Sequence, residues 1–191
     1  MNRKSFIQQS SVAAAGILLT PSFSFGKRDE PVLGNGHKRY RLDTKWGELD
    51  AAKYPVKDCH EMVQDKQGRI LLLTNETKNN VIIYDKKGKL ISTWGTTYPG
   101  AHGLTLFDEN GTEVLFICDN NRHQVIKTTI GGKELLVLDY PKETGMYTKA
   151  EEYIPTETAI AANGDIYVAD GYGKDFIIRS ISRSVVGGNS Q

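Results

Sequence analysis

Apolar and polar residues alternate along the middle of the chain in an order that predicts short β-strands. Three segments repeat this order, and they begin at His60, His102 and Thr156. Each contains a short alternating run, a glycine turn, a hydrophobic strand, a polar loop and another apolar strand. Alternation with a period of two, interrupted by turns about every eight to twelve residues, is typical of an all-β domain.

The central hydrophobic strand of the repeat occurs as RILLLTN, EVLFICD and DIYVADG, after turns at Gly68, Gly111 and Gly164. The first two repeats continue to a fourth strand, KLISTW and ELLVLDY. Their starts are about 42 residues apart, and four short antiparallel strands in a unit of this length predict a propeller blade. We therefore predict an all-β chain with about three four-stranded blades in an incomplete ring.

The second repeat is about ten residues longer than the first. The extra residues fall between Tyr140 and Tyr153, after the fourth strand of that repeat. An insertion between blades lies on a face of the disc, so we expect a rim loop there.

The blades are predicted over residues 56–181, after a lead-in over residues 27–55, and the repeat breaks down after Ile178. A six-bladed ring needs about 250 residues at this period. Three blades would leave the edges of a ring unpaired. We expect the chain to be truncated, with an aberrant tail over 182–191; the alternative is a half-propeller that assembles with a partner.

Composition excludes several classes of function. Hydrophobic residues make up 39% of the chain and charged residues 25%, as in an ordinary globular protein. The formal net charge is +1, from 24 basic and 23 acidic residues, with no basic run in the body of the chain. Phosphate binding requires concentrated positive charge, so nucleic acid is not an expected partner.

The first 26 residues predict an export signal. Arg3 and Lys4 form a basic head, followed by the apolar run SVAAAGILLT, which is too short to span a bilayer. The stretch NRKSFIQ resembles the twin-arginine motif with Lys4 in place of the second arginine; ordinary secretion is the alternative. We expect cleavage after Ser24 or Gly26 and a periplasmic or extracellular protein without an integral membrane segment.

Cys59 and Cys118 are the two cysteines of the chain. In an exported protein they could form a disulfide. Both also lie in predicted strands, where a buried free thiol is equally ordinary. Sequence alone leaves the two alternatives open.

Two segments carry a family resemblance. TETAIAANGDIYVADGYGKDFII resembles the NHL repeat, and this likeness extends over residues 56–179. HGLTLFD, together with the export signal, is similar to bacterial six-bladed propellers related to the lyase domain of peptidylglycine amidating enzymes. The lyase resemblance implies a divalent metal, usually zinc, held by histidines at the central channel, with calcium nearby. It also implies that a tyrosine and an arginine help to cleave a hydroxyglycine adduct into an amide and glyoxylate.

His60 and His102 match the family at the start of the innermost strand of consecutive repeats. Side chains at these positions face the axial channel, so the two imidazoles should converge as zinc ligands. A catalytic zinc takes three protein ligands and a water, but the third repeat has Pro155, Thr156 and Glu157 there instead of a histidine. The alternative is that each histidine hydrogen-bonds a neighbouring carbonyl and closes its blade.

Three further residues are catalytic candidates. Glu157, with Glu61 and Thr156 near the same opening, could complete a site or act as a base; the alternative is a carboxylate facing a wet channel. Arg122 lies in a loop and could bind a carboxylate or stabilise an oxyanion; the alternative is solvated charge. Tyr172 is an aromatic residue near the channel, where ligand sites often lie, and packing is its alternative.

Two classes of function follow. The first is an exported propeller that acts as a binding scaffold, with a small molecule, peptide or glycan at its channel face, or a protein partner. The second is a metal-dependent lyase or hydrolase resembling peptidyl-hydroxyglycine lyase, with His60 and His102 holding zinc. The enzyme hypothesis predicts stoichiometric zinc that is lost on His60→Ala or His102→Ala, whereas the scaffold hypothesis predicts no metal.

Overall fold

The computed structural model describes residues 32–174 and 178–181. These residues belong to two compact units, the first ending at Thr44 and the second beginning at Lys45. The first unit contains one antiparallel hairpin, β1 (Val32–Asn35) and β2 (Lys38–Arg41). The predicted export signal and the predicted aberrant tail lie outside the described residues.

The second unit consists of three antiparallel sheets whose strands follow one another in chain order. Blade 1 contains β3 (Cys59–Gln64), β4 (Ile70–Thr74), β5 (Val81–Tyr84) and β6 (Leu90–Trp94). Blade 2 contains β7 (Ala101–Glu109), β8 (Thr112–Asp119), β9 (Gln124–Thr129) and β10 (Glu134–Leu138). The described strands of blade 3 are β11 (Glu157–Ile160), β12 (Ile166–Ala169) and β13 (Ile178–Ile181). This architecture confirms the all-β prediction.

The turn before each central strand depends on a glycine. Gly68, Gly111 and Gly164 have φ angles of 76°, 94° and 89°, a left-handed region that side chains with a Cβ rarely adopt. The turns at Gly68 and Gly164 share a backbone hydrogen bond from the glycine N–H to Asp65 and Ala161, whereas Asn110, at φ 53°, and Gly111 form a two-residue turn. Each turn joins the first two strands of its blade.

Apolar side chains fill both spaces between the blades. Between blades 1 and 2 the core includes Leu71, Leu73, Ile83, Leu104, Leu115 and Ile117. Between blades 2 and 3 it includes Val114, Phe116, Cys118, Val125, Ile166 and Val168. Successive side chains in a strand point to opposite faces, so β8 contributes to both cores and is a continuous apolar run. Each fully buried aliphatic side chain stabilises the fold by about 1.5–3 kcal/mol relative to exposure.

The insertion between blades 2 and 3 packs against the sheets. It forms two short 3-10 helices, Lys142–Thr144 and Ala150–Glu152. Tyr147 and Tyr153 are buried in the second core, with ring centroids 5.4 Å apart. The Tyr147 hydroxyl donates to Asp170 Oδ2 at 2.7 Å. These tyrosines therefore anchor the insertion and are not part of an open ligand surface.

Cys59 and Cys118 are both free thiols. Cys59 is exposed, whereas Cys118 is fully buried in the core between blades 2 and 3. Burial, followed by the nearby carboxyl groups of Glu157 and Glu61, raises the pKa of Cys118 well above its usual value. Of the two alternatives for the cysteines, the structure shows the free thiols.

Among the described residues, no helix has the length and apolar character needed to cross a bilayer.

Candidate functional site

The first strands of the three blades, β3, β7 and β11, lie side by side with β7 in the middle. They frame an open cavity of about 270 Å³ in the second unit. Of the five residues proposed from sequence as catalytic or metal-binding, all except Arg122 line this cavity. The full lining consists of His60, Glu61, His102, Thr156, Glu157, Gly171 and Tyr172. Residues from three blades therefore converge at one place.

Two β-bulges bring neighbouring residues to the same side of a strand. Regular alternation would send His60 and Glu61 to opposite faces of β3. The pairing of β3 with β4 shifts between Cys59 and Glu61, so both side chains reach the cavity. A second shift occurs in β7 between Ala101 and Leu104, next to His102.

His60 and His102 are stacked, with ring centroids 4.3 Å apart and planes inclined by 25°. His102 Nδ1 lies 3.0 Å from the carbonyl oxygen of Thr156 in blade 3. A carbonyl only accepts hydrogen bonds, so Nδ1 carries the hydrogen, and Nε2 keeps a lone pair when the ring is neutral. Burial, followed by the proximity of His102, lowers the pKa of His60.

The alternative interpretation expects a histidine that closes its own blade, whereas this hydrogen bond of His102 joins blade 2 to blade 3. It would equally orient His102 as a metal ligand, because metal-bound histidines usually donate their other N–H to a carbonyl or carboxylate. However, within the described residues no group of three or more His, Cys, Asp or Glu side chains could hold a metal ion. Two imidazoles fall short of the three protein ligands of a catalytic zinc. Zinc and calcium at this site stay predictions.

Glu61 of blade 1 and Glu157 of blade 3 form a carboxyl pair in hydrogen-bonding contact. The Leu104 N–H of blade 2 donates to Glu61 Oε2 at 3.1 Å. Burial, followed by the contact with Glu157, raises the pKa of Glu61 to about 7. Two carboxyl groups in contact hold a proton more readily than either one alone, so near neutral pH the pair supplies both a proton donor and a proton acceptor.

Tyr172 forms the rim of the cavity. Its side chain is 62% exposed, and its ring meets His102 edge-on with centroids 5.4 Å apart. The preceding Gly171 packs closely against Thr156, since a Cβ there would lie 2.5 Å from Thr156 Oγ1. His60, His102 and Tyr172 thus form a continuous row of rings from the cavity to solvent.

The structure does not bring Arg122 to this cavity. Its Nε donates to Gln124 Oε1 at 2.7 Å, and its Nη1 lies 3.4 Å from Glu134 Oε1. The guanidinium also lies over the ring of Tyr98, 5.4 Å from the centroid. Arg122 therefore stabilises the outer strands of blade 2 through a hydrogen bond, an ion pair and a cation–π contact. The predicted loop position of Arg122 could not show these contacts, because the direction of the side chain is set by residues distant in sequence.

Sequence reasoning missed Thr105, which follows His102, Gly103 and Leu104 in β7. Its Oγ1 lies 2.8 Å from Glu157 Oε1. The alternating run after the His-Gly pair predicts a strand, but it does not indicate contact with a residue more than fifty positions away.

By its strand order, the second unit is an all-β assembly of propeller-type blades with a polar cavity at the first strands. No protein-family model matches the sequence. A stretch of 109 residues is 30% identical to a probable peptidyl-alpha-hydroxyglycine alpha-amidating lyase of Caenorhabditis elegans. The match covers 56% of this chain and 29% of the worm protein, so the chain spans less than a third of that distant relative.

Solved structures similar to the chain include a streptogramin B lyase, with 12% identity and a TM-score of 0.44 over 66% of this chain and 41% of that one. Another is a catalytically inactive virginiamycin B lyase from Staphylococcus aureus with quinupristin. It has 13% identity and a TM-score of 0.46 over 75% of this chain and 44% of that one. At this level of similarity, the fold class rests on the strand order of the chain itself.

Proposed function

We propose that the cavity is a lyase site that cleaves an N-acyl-α-hydroxyglycine group into an amide and glyoxylate. The observation that carries this proposal is the convergence of a carboxyl pair and two imidazoles in one cavity. The distant relative, named as a lyase for peptidyl-α-hydroxyglycine, supplies the substrate class. We also propose that the blades are of the NHL type and belong to a six-bladed ring.

The reaction breaks the bond between the amide nitrogen and the carbon that bears the hydroxyl group. The hydroxyl loses its proton and becomes the aldehyde oxygen of glyoxylate, while the electron pair of the C–N bond moves to nitrogen. The nitrogen then takes up a proton. No electron or proton is gained overall, so the site needs only a base beside the hydroxyl and an acid beside the nitrogen.

The carboxyl pair provides both groups. The ionised member accepts the hydroxyl proton, and the protonated member donates to the departing amide nitrogen, so the pair ends each turnover with one proton. Thr105 Oγ1 donates toward Glu157 Oε1, which suits Glu157 as the ionised base. Glu61, whose pKa is raised to about 7, suits the acid. The N–H group of His60 can bind the carboxylate of the substrate.

A second candidate function is binding without turnover. The observation that favours it is Tyr172, which presents an exposed ring beside His102 at the rim. Such a ring can stack on an apolar or planar group of a small molecule, peptide or glycan. A protein partner on this face belongs to the same proposal.

The test is glyoxylate release from N-benzoyl-α-hydroxyglycine by the full chain, with benzamide measured as the second product. We expect equal amounts of the two products. Glu157→Gln should lower kcat by about 10²- to 10⁴-fold, the usual contribution of a general base. Glu113→Gln is the matched control: Glu113 accepts the backbone N–H of Lys66 at 2.9 Å, as Glu157 accepts that of Thr158 at 2.8 Å, but it does not line the cavity.

The outcomes separate the two functions. Binding of N-benzoylglycine, which lacks the hydroxyl group, without any glyoxylate from the hydroxylated compound would favour the scaffold. If the chain neither cleaves the hydroxylated compound nor binds the analogue, both functions fail for this substrate class.

Zinc is a separate proposal for His60 and His102. Elemental analysis of the purified chain should find stoichiometric zinc, and either His→Ala variant should lose it. His123→Asn is the control, since His123 also places Nδ1 on a carbonyl, that of Tyr153 at 2.8 Å, outside the cavity. An equal zinc content in all four proteins would contradict the assignment.

We also propose, from residues 1–26, that the protein acts outside the cytoplasm. N-terminal sequencing of the protein recovered from the periplasm or medium should begin after Ser24 or Gly26. An intact N-terminus in the cytoplasmic fraction would contradict export.

A further inference from the structure

We propose that Thr105 is the positioning residue of the carboxyl pair: its hydroxyl holds Glu157 against blade 2, facing Glu61. This inference rests on the proposed lyase function and adds the residue that sets the geometry of its acid and base. Thr105 does not line the cavity, so it acts through Glu157 and has no contact with substrate.

The hydroxyl of Thr105 joins blade 2 to blade 3 at three points. Its Oγ1 lies 2.8 Å from Glu157 Oε1, 2.8 Å from the carbonyl oxygen of Thr158 and 2.6 Å from Thr158 Oγ1. Thr105 has one hydroxyl proton for two acceptors, the carbonyl of Thr158 and Glu157 Oε1, which also accepts the Thr158 N–H at 2.8 Å. The geometry is satisfied when the Thr158 hydroxyl donates to Thr105 and Thr105 donates to one of the two acceptors.

The charge of Glu157 decides which acceptor Thr105 uses. A hydrogen bond to a carboxylate is roughly twice as strong as one to a neutral carbonyl, so the hydroxyl turns to Glu157 when Glu157 is ionised. When Glu157 has taken the substrate proton, the carbonyl of Thr158 is still within reach at 2.8 Å. Protonated Glu157 can then donate to a lone pair of Thr105 Oγ1, so Thr105 contacts the base before and after proton transfer without moving its own oxygen.

The residues just before Thr105 fix the same geometry from the backbone. A Cβ on Gly103 would lie 2.4 Å from the carbonyl oxygen of Thr156, so only glycine lets β7 approach blade 3 this closely. The Leu104 N–H binds Glu61 on the opposite side of β7. Consecutive positions of one strand thus set the spacing between the two carboxyl groups.

A positioning role and a purely structural role predict different kinetics. A structural hydroxyl would lower the melting temperature when removed and leave kcat of the folded protein unchanged. A positioning hydroxyl would lower kcat with little effect on KM, because the substrate still binds but meets a displaced base. Misplacement by about 1 Å can cost on the order of 10²-fold in rate.

The experiment compares Thr105→Val, Thr105→Ser and Thr128→Val in the full chain, with N-benzoyl-α-hydroxyglycine as substrate. Thr128 is a matched control: it is fully buried in blade 2, and its hydroxyl has no hydrogen-bond partner among the described residues. We expect Thr105→Val to lower kcat about 10- to 100-fold with KM changed less than about twofold. Thr105→Ser should keep most of the activity, and Thr128→Val all of it.

Two results would overturn the inference while leaving the lyase function intact: unchanged kcat in Thr105→Val, or an equal loss in Thr105→Ser and Thr105→Val. If the wild-type chain releases no glyoxylate, the proposed function has failed, and a spectroscopic measurement then decides the role of Thr105. The ¹³C carboxyl signal of Glu157, assigned with Glu157→Gln, should shift in Thr105→Val and stay in place in Thr128→Val. An unchanged signal in Thr105→Val contradicts the positioning role.

Discussion

Two of the clusters in which a glutamate meets residues distant in sequence differ in how its charge is balanced. On the outer side of blade 2, Glu134 accepts from the Tyr98 hydroxyl at 2.9 Å and lies beside Arg122. At the cavity, Glu61 faces Glu157 with no cation between them among the described residues. The first arrangement neutralises a charge and the second leaves it unbalanced, which marks a candidate site of function.

The fully buried carboxyl group of Asp119 offers a further comparison, because its contacts serve the fold. Asp119 at the end of β8 accepts the N–H groups of Gly100, Asn121 and Arg122 at 3.3, 2.9 and 2.8 Å. Burial still raises its pKa, but these donors satisfy the oxygens that folding removes from water. Burial alone therefore does not identify a catalytic carboxyl; the absence of a balancing cation beside Glu61 and Glu157 in the described part of the chain is more informative.

The largest effect that tests this comparison is on turnover. Glu61→Gln removes the acid but keeps an oxygen that accepts the Leu104 N–H, so we expect a correctly folded protein with kcat lowered about 10²- to 10⁴-fold. Glu134→Gln removes the charge of the outer cluster and should leave kcat unchanged. Steady-state kinetics with N-benzoyl-α-hydroxyglycine measure both. Equal losses in the two variants would remove the distinction between the clusters.

The next effect is on stability, and it is expected in the outer cluster instead of the cavity. Arg122→Ala removes the ion pair with Glu134 and the contact with Tyr98, so we expect the free energy of unfolding to fall by about 1 kcal/mol. The kcat of the remaining folded protein should not change. Urea denaturation and kinetics on the same sample check both statements. A specific loss of kcat would restore the catalytic role that the sequence suggested for Arg122.

A smaller effect is expected at the rim. Tyr172→Ala removes the exposed ring beside His102 and should raise KM up to about tenfold, within the range of one aromatic contact. Tyr172→Phe keeps the ring and should stay close to wild type if the ring serves binding. A large fall in kcat in Tyr172→Phe would instead assign the hydroxyl to catalysis, as the lyase resemblance implies.

Sequence alone was sufficient for the blades because their signals are local. The alternation of apolar residues and the glycines at 68, 111 and 164 define strands and turns without knowledge of the partner strand. The cavity was predictable only in part. Strand starts placed His60, Glu61, His102 and Glu157 near one opening, but the bulge that turns Glu61 to the same side as His60 is a property of strand pairing. The contact of Thr105 with Glu157 and the outward position of Arg122 both depend on packing between elements distant in sequence.

The smallest expected effect is the pH dependence of stability. In the folded chain the pKa of Glu61 is raised to about 7, mainly by burial and then by Glu157; His60 and the Cys118 thiol also lie close to it. Between pH 5 and pH 7, the pH lies above the ordinary pKa of a glutamate and below the pKa of Glu61 in the folded chain. In this range Glu61 holds a proton in the folded state that it has released in the unfolded chain. The stabilisation from this proton is therefore present at low pH and lost as the pH rises through 7.

Glu61→Gln removes this dependence, so the free energy of unfolding of the variant relative to wild type should increase from pH 5 to pH 8. Solvent reaches the partly exposed carboxyl and keeps the difference small. Urea denaturation at the two pH values measures it, with Glu113→Gln as the control expected to follow wild type. Parallel curves for wild type and Glu61→Gln would show that the carboxyl pair holds no additional proton near neutrality. Glu61 and Glu157 would then resemble the balanced outer cluster, and the acid of the proposed reaction would have to be another group.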